Sequence, residues 1–320
     1  MKLDISGPVL CFGGSGSWGW QLAKTLLDDS SIPSVTIFSR NEFNQVKMQR
    51  AFNNDRLKFI IGDVRDYEAV LSACANKCTV YLLSAIKHVP ICEEQPDEAI
   101  KTNIIGTQNV IRASIVQRVV KVVDVSSDKA AAPSNLYGMT KAVGEKLILA
   151  ANKQLNTRFK CIRAGNVLGS NGSVCQLFID QIKKDNIVKI TSKGMSRYFL
   201  TLPQAIRLLI TACEFDADML VMKMPSCRIY DLAKVLIKYH GNKDTRIIET
   251  GIRPGEKLHE LLITEWEASK TYKFGDDFYA ISDTPLNLPK VDFPFYSSNS
   301  QSYMTMKQIE TMLGKGGFLK

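Results

Sequence analysis

An apolar run, Val9 to Phe12, leads directly into Gly13-Gly14-Ser15-Gly16-Ser17-Trp18-Gly19, after which Trp18, Leu22 and Leu26 recur at helical spacing. Glycines spaced G-x-x-G-x-x-G between a strand and a helix let backbone amides approach a pyrophosphate closely. The helix N-terminus then adds its partial positive charge. A glycine triplet alone says little, but this placement makes it a dinucleotide fingerprint. Gly13, Ser15, Gly16, Ser17, Trp18 and Gly19 are therefore expected at a nucleotide cofactor.

The first half continues in the same rhythm. Val35 to Phe38, Leu57 to Ile61, Val80 to Leu83, Val119 to Val125 and Phe159 to Ile162 are apolar and β-rich, and segments such as Ile100, Ile104, Val110 and Ile111 lie between them at helical spacing. That alternation predicts an α/β fold with a doubly wound parallel sheet of Rossmann type. After Asn166 the pattern loosens into Gly169-Ser170-Asn171-Gly172-Ser173, short helices and a proline-rich tail around Pro285 to Pro294. The expected division is a Rossmann domain over 1–165 and a smaller α/β substrate lobe over 166–320. Within the lobe, Leu202 to Cys213 and Tyr230 to Tyr239 read as helices, and 200–240 is expected to return to the first half.

At 320 residues with 45% hydrophobic content, the chain can bury one full core and a smaller one. No apolar run approaches the roughly 20 residues that span a bilayer. Met1-Lys2-Leu3-Asp4 also lacks an apolar export segment, so a cytoplasmic protein without membrane contact is expected. Eight cysteines, mostly single within apolar runs, read as reduced core thiols. Histidine occurs only at 88, 240 and 259, which leaves no plausible ligand set for a metal. The net charge of +9 is spread without a dense basic tract, which argues against nucleic acid and suits a phosphate-rich small-molecule cleft.

An NAD-selective site carries an acidic residue about twenty positions beyond the glycines, where it binds the ribose diol. Here the second strand ends Phe38-Ser39-Arg40-Asn41. Ser39 and Arg40 suit a 2′-phosphate, since arginine grips phosphate through two parallel hydrogen bonds, and NADP is expected. The third strand ends at Asp63-Val64 and the fourth near Ala85, positions that line the ligand crevice of such a sheet. Asp63 is placed either to receive the adenine amino group or to cap a helix near Tyr67. Ala85 and Lys87 fall beneath the nicotinamide ribose.

Tyr-x-x-x-Lys puts both side chains on one helix face, where an ammonium can draw the phenol towards proton transfer. Tyrosines 137, 230, 239 and 303 all satisfy the spacing. Only Tyr137 and Lys141 follow a Rossmann strand and lie ten residues beyond a hydroxyl pair, Ser126-Ser127. Between them stands Asp128-Lys129, an acid beside a base at the end of the strand that faces the cofactor. Such a pair can remove a carbon-bound proton and protonate a leaving hydroxyl, which is dehydration chemistry.

Val125-Ser126-Ser127-Asp128-Lys129-Ala130-Ala131, Leu136-Tyr137-Gly138-Met139-Thr140-Lys141 and Gly251-Ile252-Arg253-Pro254-Gly255-Glu256-Lys257-Leu258-His259-Glu260 together resemble the inverting UDP-N-acetylglucosamine 4,6-dehydratases of the extended short-chain dehydrogenase/reductase superfamily. The likeness continues through Lys87-His88-Val89-Pro90, Lys101-Thr102-Asn103-Ile104, Arg163-Ala164-Gly165-Asn166-Val167 and Tyr296-Ser297-Ser298-Asn299. Retaining sugar dehydratases carry an acidic residue where Lys129 stands. Ser127 replaces the family's usual threonine and keeps the hydroxyl; Cys11 also stands where threonine is common.

The resemblance implies that Asn103 belongs to the cofactor site, and that Lys87, Asn166, Ser173, Val174 and Arg197 meet the sugar nucleotide. For Arg197 a structural salt bridge is the equal alternative. Arg253 and Glu256 would hold pyrophosphate and ribose. In the implied reaction Tyr137 takes the C4 hydroxyl proton of UDP-N-acetylglucosamine, Lys129 removes the C5 proton and Asp128 protonates the departing C6 hydroxyl. Ser127 orients the substrate and Lys141 supports Tyr137. The product would be a UDP-2-acetamido-2,6-dideoxy-beta-L-arabino-hex-4-ulose. Rival readings are a UDP-sugar 4-epimerase, which has no use for Asp128-Lys129, and an inactive NADP-binding sensor or scaffold. Pairing of helices near Ile100 to Ser114 and Leu136 to Ala150 implies a homodimer or a homohexamer.

Overall fold

A computed structural model describes residue 5 and residues 7–152, 157–170 and 172–319. The Met1 to Asp4 segment and Asn171 of the glycine-rich turn lie outside these described residues. Six parallel strands form the Rossmann half: β1 (Val9–Phe12), β2 (Val35–Ser39), β3 (Leu57–Ile61), β4 (Thr79–Leu82), β5 (Lys121–Ser127) and β6 (Arg158–Ala164). Their spatial order is β3-β2-β1-β4-β5-β6. The order reverses between β1 and β4, the switch point at which open α/β sheets bind ligands. Strand β1 is buried at every position because helices cover both of its faces.

The sheet does not stop at β6. Met219–Met222 joins β6 in parallel, and Phe278–Ile281 and Thr271–Phe274 extend the edge antiparallel to nine strands. Helix Leu202–Glu214, started by a Thr201–Gln204 capping box, packs on helix Ser17–Leu27 and on β5 and β6. Residues 202–222 and 271–281 thus return to the first half. Helix Ile229–His240, expected to return as well, packs instead against Val174–Asp185 and Met306–Lys315. Its apolar stripe of Leu232, Ala233, Val235 and Leu236 is buried in a second core with Phe178, Ile182 and Leu313. That second core and the three-stranded sheet of Asn166–Val167, Ser196–Leu200 and Ser226–Arg228 form the smaller lobe.

All eight cysteines are free, and seven are buried, with Cys78 partly exposed. Among the described residues no helix is long and apolar enough to cross a membrane, and no group of three or more His, Cys, Asp and Glu side chains could hold a metal ion.

A buried ion network joins strand β6, the helix Leu136–Ala151 and the short helix Glu265–Ala268. Arg163 of β6 donates to Glu145 at 2.7 and 2.8 Å and to Glu267 at 2.7 and 2.8 Å, and also reaches the Leu262 carbonyl at 2.9 Å. Burial disfavours the guanidinium charge, but the two carboxylates outweigh it and raise the pKa of Arg163. Replacing Arg163 with methionine leaves two carboxylates buried without a cation. Unfolding in denaturant should show a loss of about 3–5 kcal/mol, as for other broken buried pairs. A loss under about 1 kcal/mol would mean that water takes over the role of the guanidinium.

Candidate active site

A cleft of about 620 Å³ runs across the switch point, from the end of β2 past the ends of β1, β4 and β5 to the smaller lobe. At its floor Gly13 has φ +73°, and a Cβ there would lie 2.6 Å from the Ser84 amide nitrogen. Only glycine lets the two crossovers meet this closely. Gly19 serves packing: a Cβ would stand 2.1 Å from the Gly14 carbonyl oxygen, so the helix could not sit against the loop. Gly13, Gly16, Ser17 and Trp18 line the cleft, whereas Ser15 and Gly19 are not among its lining residues. The cradle fits a dinucleotide pyrophosphate, which needs such close backbone approach.

Ser39, Arg40, Asp63 and Val64 form the outer wall. Asp63 accepts from Arg65 Nη2 at 2.6 Å and Nε at 2.8 Å, and Arg40 stands 3.5 Å away. Burial works against ionisation of Asp63, but the bonds and charge of Arg65 and the charge of Arg40 outweigh it and hold the carboxyl below its usual range. The helix Tyr67–Cys74 is capped by Asp66, not Asp63, with the Asp66 side chain accepting from the Ala69 amide. Ala85 and Lys87 line the opposite wall with His88.

Asn103 does not line the cleft. It lies in a π-helical turn, Lys101–Ile105, within the helical run 96–116. Its buried amide accepts from the Ile86 amide at 2.8 Å and donates to the Ile86 carbonyl at 2.9 Å and to Thr140 Oγ1 at 3.0 Å. The extra residue of the π turn aims Asn103 at the wall carrying Ala85 and Lys87 and ties that wall to the helix of Tyr137.

Strand β5 delivers Ser126, Ser127, Asp128 and Lys129 to the middle of the cleft, and Tyr137 enters from the first turn of helix Leu136–Ala151. Asn135 caps that helix by accepting from the Gly138 amide at 2.9 Å. Asn135 and Ser134 both donate to the Gly255 carbonyl, at 2.9 and 2.8 Å, which latches the Gly251–Glu260 segment to the start of the helix. Ser126 lines the cleft, but its hydroxyl is committed to Glu145, to which it donates at 2.5 Å. Ser127 donates to Asp128 Oδ1 at 3.0 Å and accepts from the Lys129 amide at 3.2 Å, with its hydroxyl beside Tyr137. Burial pushes the Tyr137 phenol up, against the pull of Lys141, Ser127 and Lys129.

Lys129 Nζ lies 3.0 Å from Asp128 Oδ1 and 3.3 Å from Glu260 Oε1. Burial favours a neutral amine, but the two carboxylates outweigh it and raise the pKa of Lys129, so the resting side chain is an ammonium. Asp128 Oδ2 is buried without a hydrogen-bond partner among the described residues.

Asn166, Ser173 and Val174 line the lobe side of the cleft. Arg197 does not reach the cleft: it is buried, donates to the carbonyls of Ser196, Lys257 and Leu258 at 2.7–3.2 Å, and pairs with Glu260 at 3.5 Å. The structural salt bridge is the arrangement present. Glu256 accepts from Thr191 Oγ1 at 3.2 and 3.3 Å, and Arg253 is exposed; both lie outside the cleft lining. Lys141 is also off the cleft, held on Asp124. Asp124, Glu145 and Glu260 were not singled out from the sequence. Asp124 and Glu145 are single carboxylates amid apolar or helical residues, and only a polar residue at an expected core position signals them.

A profile of the polysaccharide biosynthesis protein family matches residues 9–282. The chain is similar to a UDP-N-acetylglucosamine 4,6-dehydratase (inverting) of Campylobacter jejuni, with 40% identity covering 86% of this chain and 82% of that one. It is similar to a UDP-glucose 4-epimerase of Rickettsia prowazekii, with 39% identity covering 97% and 96%. The X-ray structure of Pen from Bacillus thuringiensis superposes with a TM-score of 0.92 at 37% identity, covering 98% of this chain and 99% of that one.

Gly13→Ala should weaken dinucleotide binding at least about fivefold, because overpacking at such a contact costs about 1–3 kcal/mol. Fluorescence titration with the cofactor measures it. Unchanged affinity would mean that the glycine loop does not carry the pyrophosphate.

Proposed function

This chain belongs to the polysaccharide biosynthesis protein family, with the extended short-chain dehydrogenase/reductase fold, and on that premise we propose that it is an NADP-dependent UDP-N-acetylglucosamine 4,6-dehydratase that inverts C5. The observation that carries the reading is the Asp128–Lys129 ion pair set beside Tyr137 in the cleft. An epimerase of the same fold has no step that uses such a pair. The inverting dehydratase of Campylobacter jejuni, by its name, performs the reaction that does.

Held by its pyrophosphate at Gly13, Gly16, Ser17 and Trp18, with its nicotinamide end towards Ala85 and Lys87, the dinucleotide would supply reversible hydride acceptance, from C4 of the sugar and back to C6. Tyr137 takes the C4 hydroxyl proton, and the ketone so formed acidifies the hydrogen on C5. Lys129 rests as an ammonium and must lose a proton before it can act as a base. The recipient is 3.0 Å away: transfer to Asp128 yields at once a neutral amine and a carboxylic acid. The amine removes the C5 proton and the acid protonates the departing C6 hydroxyl, which leaves as water. Both side chains regain their resting charges. The proton held by Tyr137 balances the one that C5 receives afterwards from the opposite face. Ser127 orients the C4 hydroxyl, while Lys87, Asn166, Ser173 and Val174 hold the sugar nucleotide. In this reading Arg253 and Glu256 meet the pyrophosphate and ribose when substrate is bound.

The enzyme would make UDP-2-acetamido-2,6-dideoxy-beta-L-arabino-hex-4-ulose for deoxyamino-sugar and glycan synthesis. A homodimer or homohexamer in the cytoplasm completes the proposal. NADP follows from Arg40, whose exposed guanidinium stands at the β2 end of the cleft. Arg40→Ala should weaken NADP by about tenfold or more and leave NAD nearly unchanged, because only NADP carries the 2′-phosphate. Equal losses in paired titrations would remove Arg40 from that role.

The deciding experiment is turnover of UDP-N-acetylglucosamine in D2O. The expected product has lost one water, carries solvent deuterium at C5 and is L-configured by NMR. Deuterium placed at C4 of the substrate should reappear at C6, with no free NADPH accumulating. A D-configured product would take the base role from Lys129. A product that keeps its C6 hydroxyl would establish the epimerase instead.

A further inference from the structure

Behind Tyr137, away from the cleft, a carboxylate and an ammonium face each other in the core. Asp124 of β5 is fully buried, and Lys141 is buried one helical turn beyond Tyr137. Lys141 Nζ lies 3.3 Å from Asp124 Oδ1 and 3.2 Å from Oδ2, so both carboxylate oxygens share the ammonium. Neither residue is among those that line the cleft.

Few charges surround this pair. Cys161 of β6 faces Lys141, and on its own helix stand Tyr137 and Glu145. Glu145 is bound to Arg163 of β6 and accepts from Ser126. Lys129 and Asp128 face Tyr137 from the strand end, with Ser127 between. Asp124 is therefore the carboxylate that directly contacts Lys141 among the described residues.

We propose that Asp124 is a positioning residue: its grip through both oxygens keeps Lys141 a cation inside the core, and that cation sets how readily the Tyr137 phenol gives up its proton. Burial is the strongest influence on Lys141 and drives it towards the neutral amine, and Asp124 supplies the leading counterweight. Without that carboxylate the desolvation prevails and Lys141 loses its charge. Tyr137, already pushed up by burial, then loses the positive neighbour that most strongly opposes the rise. A merely structural ion pair would stabilise the helix against β5 and leave the phenol's titration alone.

The inference rests on Tyr137 being the group that exchanges a proton with substrate, but its test needs no substrate. Tyrosinate absorbance of the whole enzyme is titrated against pH, and the Tyr137→Phe variant is subtracted to isolate Tyr137. The same difference is taken for Asp124→Asn with and without Tyr137→Phe. The asparagine variant should move the Tyr137 titration to higher pH by about one unit or more, the effect of losing a nearby opposing charge. No movement, or movement to lower pH, overturns the proposal. With substrate, the rising limb of kcat against pH should shift by the same amount while KM changes little. A rate loss without a limb shift would also count against it.

If Asp124→Asn does not fold, the double variant Asp124→Leu with Lys141→Met replaces the pair with apolar side chains, a change that buried pairs tolerate. Its Tyr137 titration should lie alkaline of the parent by at least the same amount. A parental titration in the double variant overturns the proposal. A wrong assignment of the sugar substrate would silence the kinetic arm and leave the titration intact, so the two failures are distinguishable.

Discussion

Arg163 is held by two carboxylates that come from distant parts of the chain, Glu145 on the helix of Tyr137 and Glu267 on the short helix Glu265–Ala268. The placement of the groups proposed to react depends on this junction. Ser126 shares the Glu145 carboxylate, so the end of β5 and the helix carrying Tyr137 and Lys141 are tied to one guanidinium. From the same end of β5 the chain delivers Asp128 and Lys129 into the cleft. A buried guanidinium with this many donors in a fixed plane sets angles as well as distances, which a lysine could not.

The site is an alternation of charges with little solvent to screen it. Asp128, Lys129, Glu260 and Arg197 follow one another at 3.0 to 3.5 Å, and Asp124 and Lys141 repeat the pattern behind Tyr137. Removing Lys129 would leave Asp128, and removing Asp124 would leave Lys141, without its ion-pair partner in low dielectric. Proton transfer between adjacent members changes no net charge, and so it is the motion such a row permits at least cost. A lone lysine or aspartate in the same cleft would instead exchange protons with water.

What the sequence revealed was local, and what it concealed was paired at long range. The glycine loop is legible because its spacing and flanking elements answer to one short contact, Gly13 against Ser84. Tyr137 could be chosen from four tyrosines because its strand and hydroxyl pair are close in sequence. Asp63 and Arg197 were each left between two readings: Asp66 and not Asp63 caps the helix, and Glu260 with three carbonyls holds Arg197. Asp124 is marked only as a polar residue in an apolar strand, and its purpose shows only when Lys141 is seen beside it. The helix Ile229–His240 was identified, but an amphipathic stripe does not say which core it joins.

Strand β6 is covered by Met219–Met222, and that strand in turn by Phe278–Ile281. During synthesis, therefore, the glycine loop, the tyrosine helix and six parallel strands leave the ribosome while β6 is still an open edge, and strand edges template association. The Gly255 carbonyl and Glu267, which fix the tyrosine helix and Arg163, emerge later still. A nascent chain can thus form its nucleotide cradle before its proton-transfer groups are locked in register. The helix Leu202–Glu214, which covers the helix after the glycine loop, also emerges late, so dinucleotide binding would favour the folded chain by mass action only once that cover is in place.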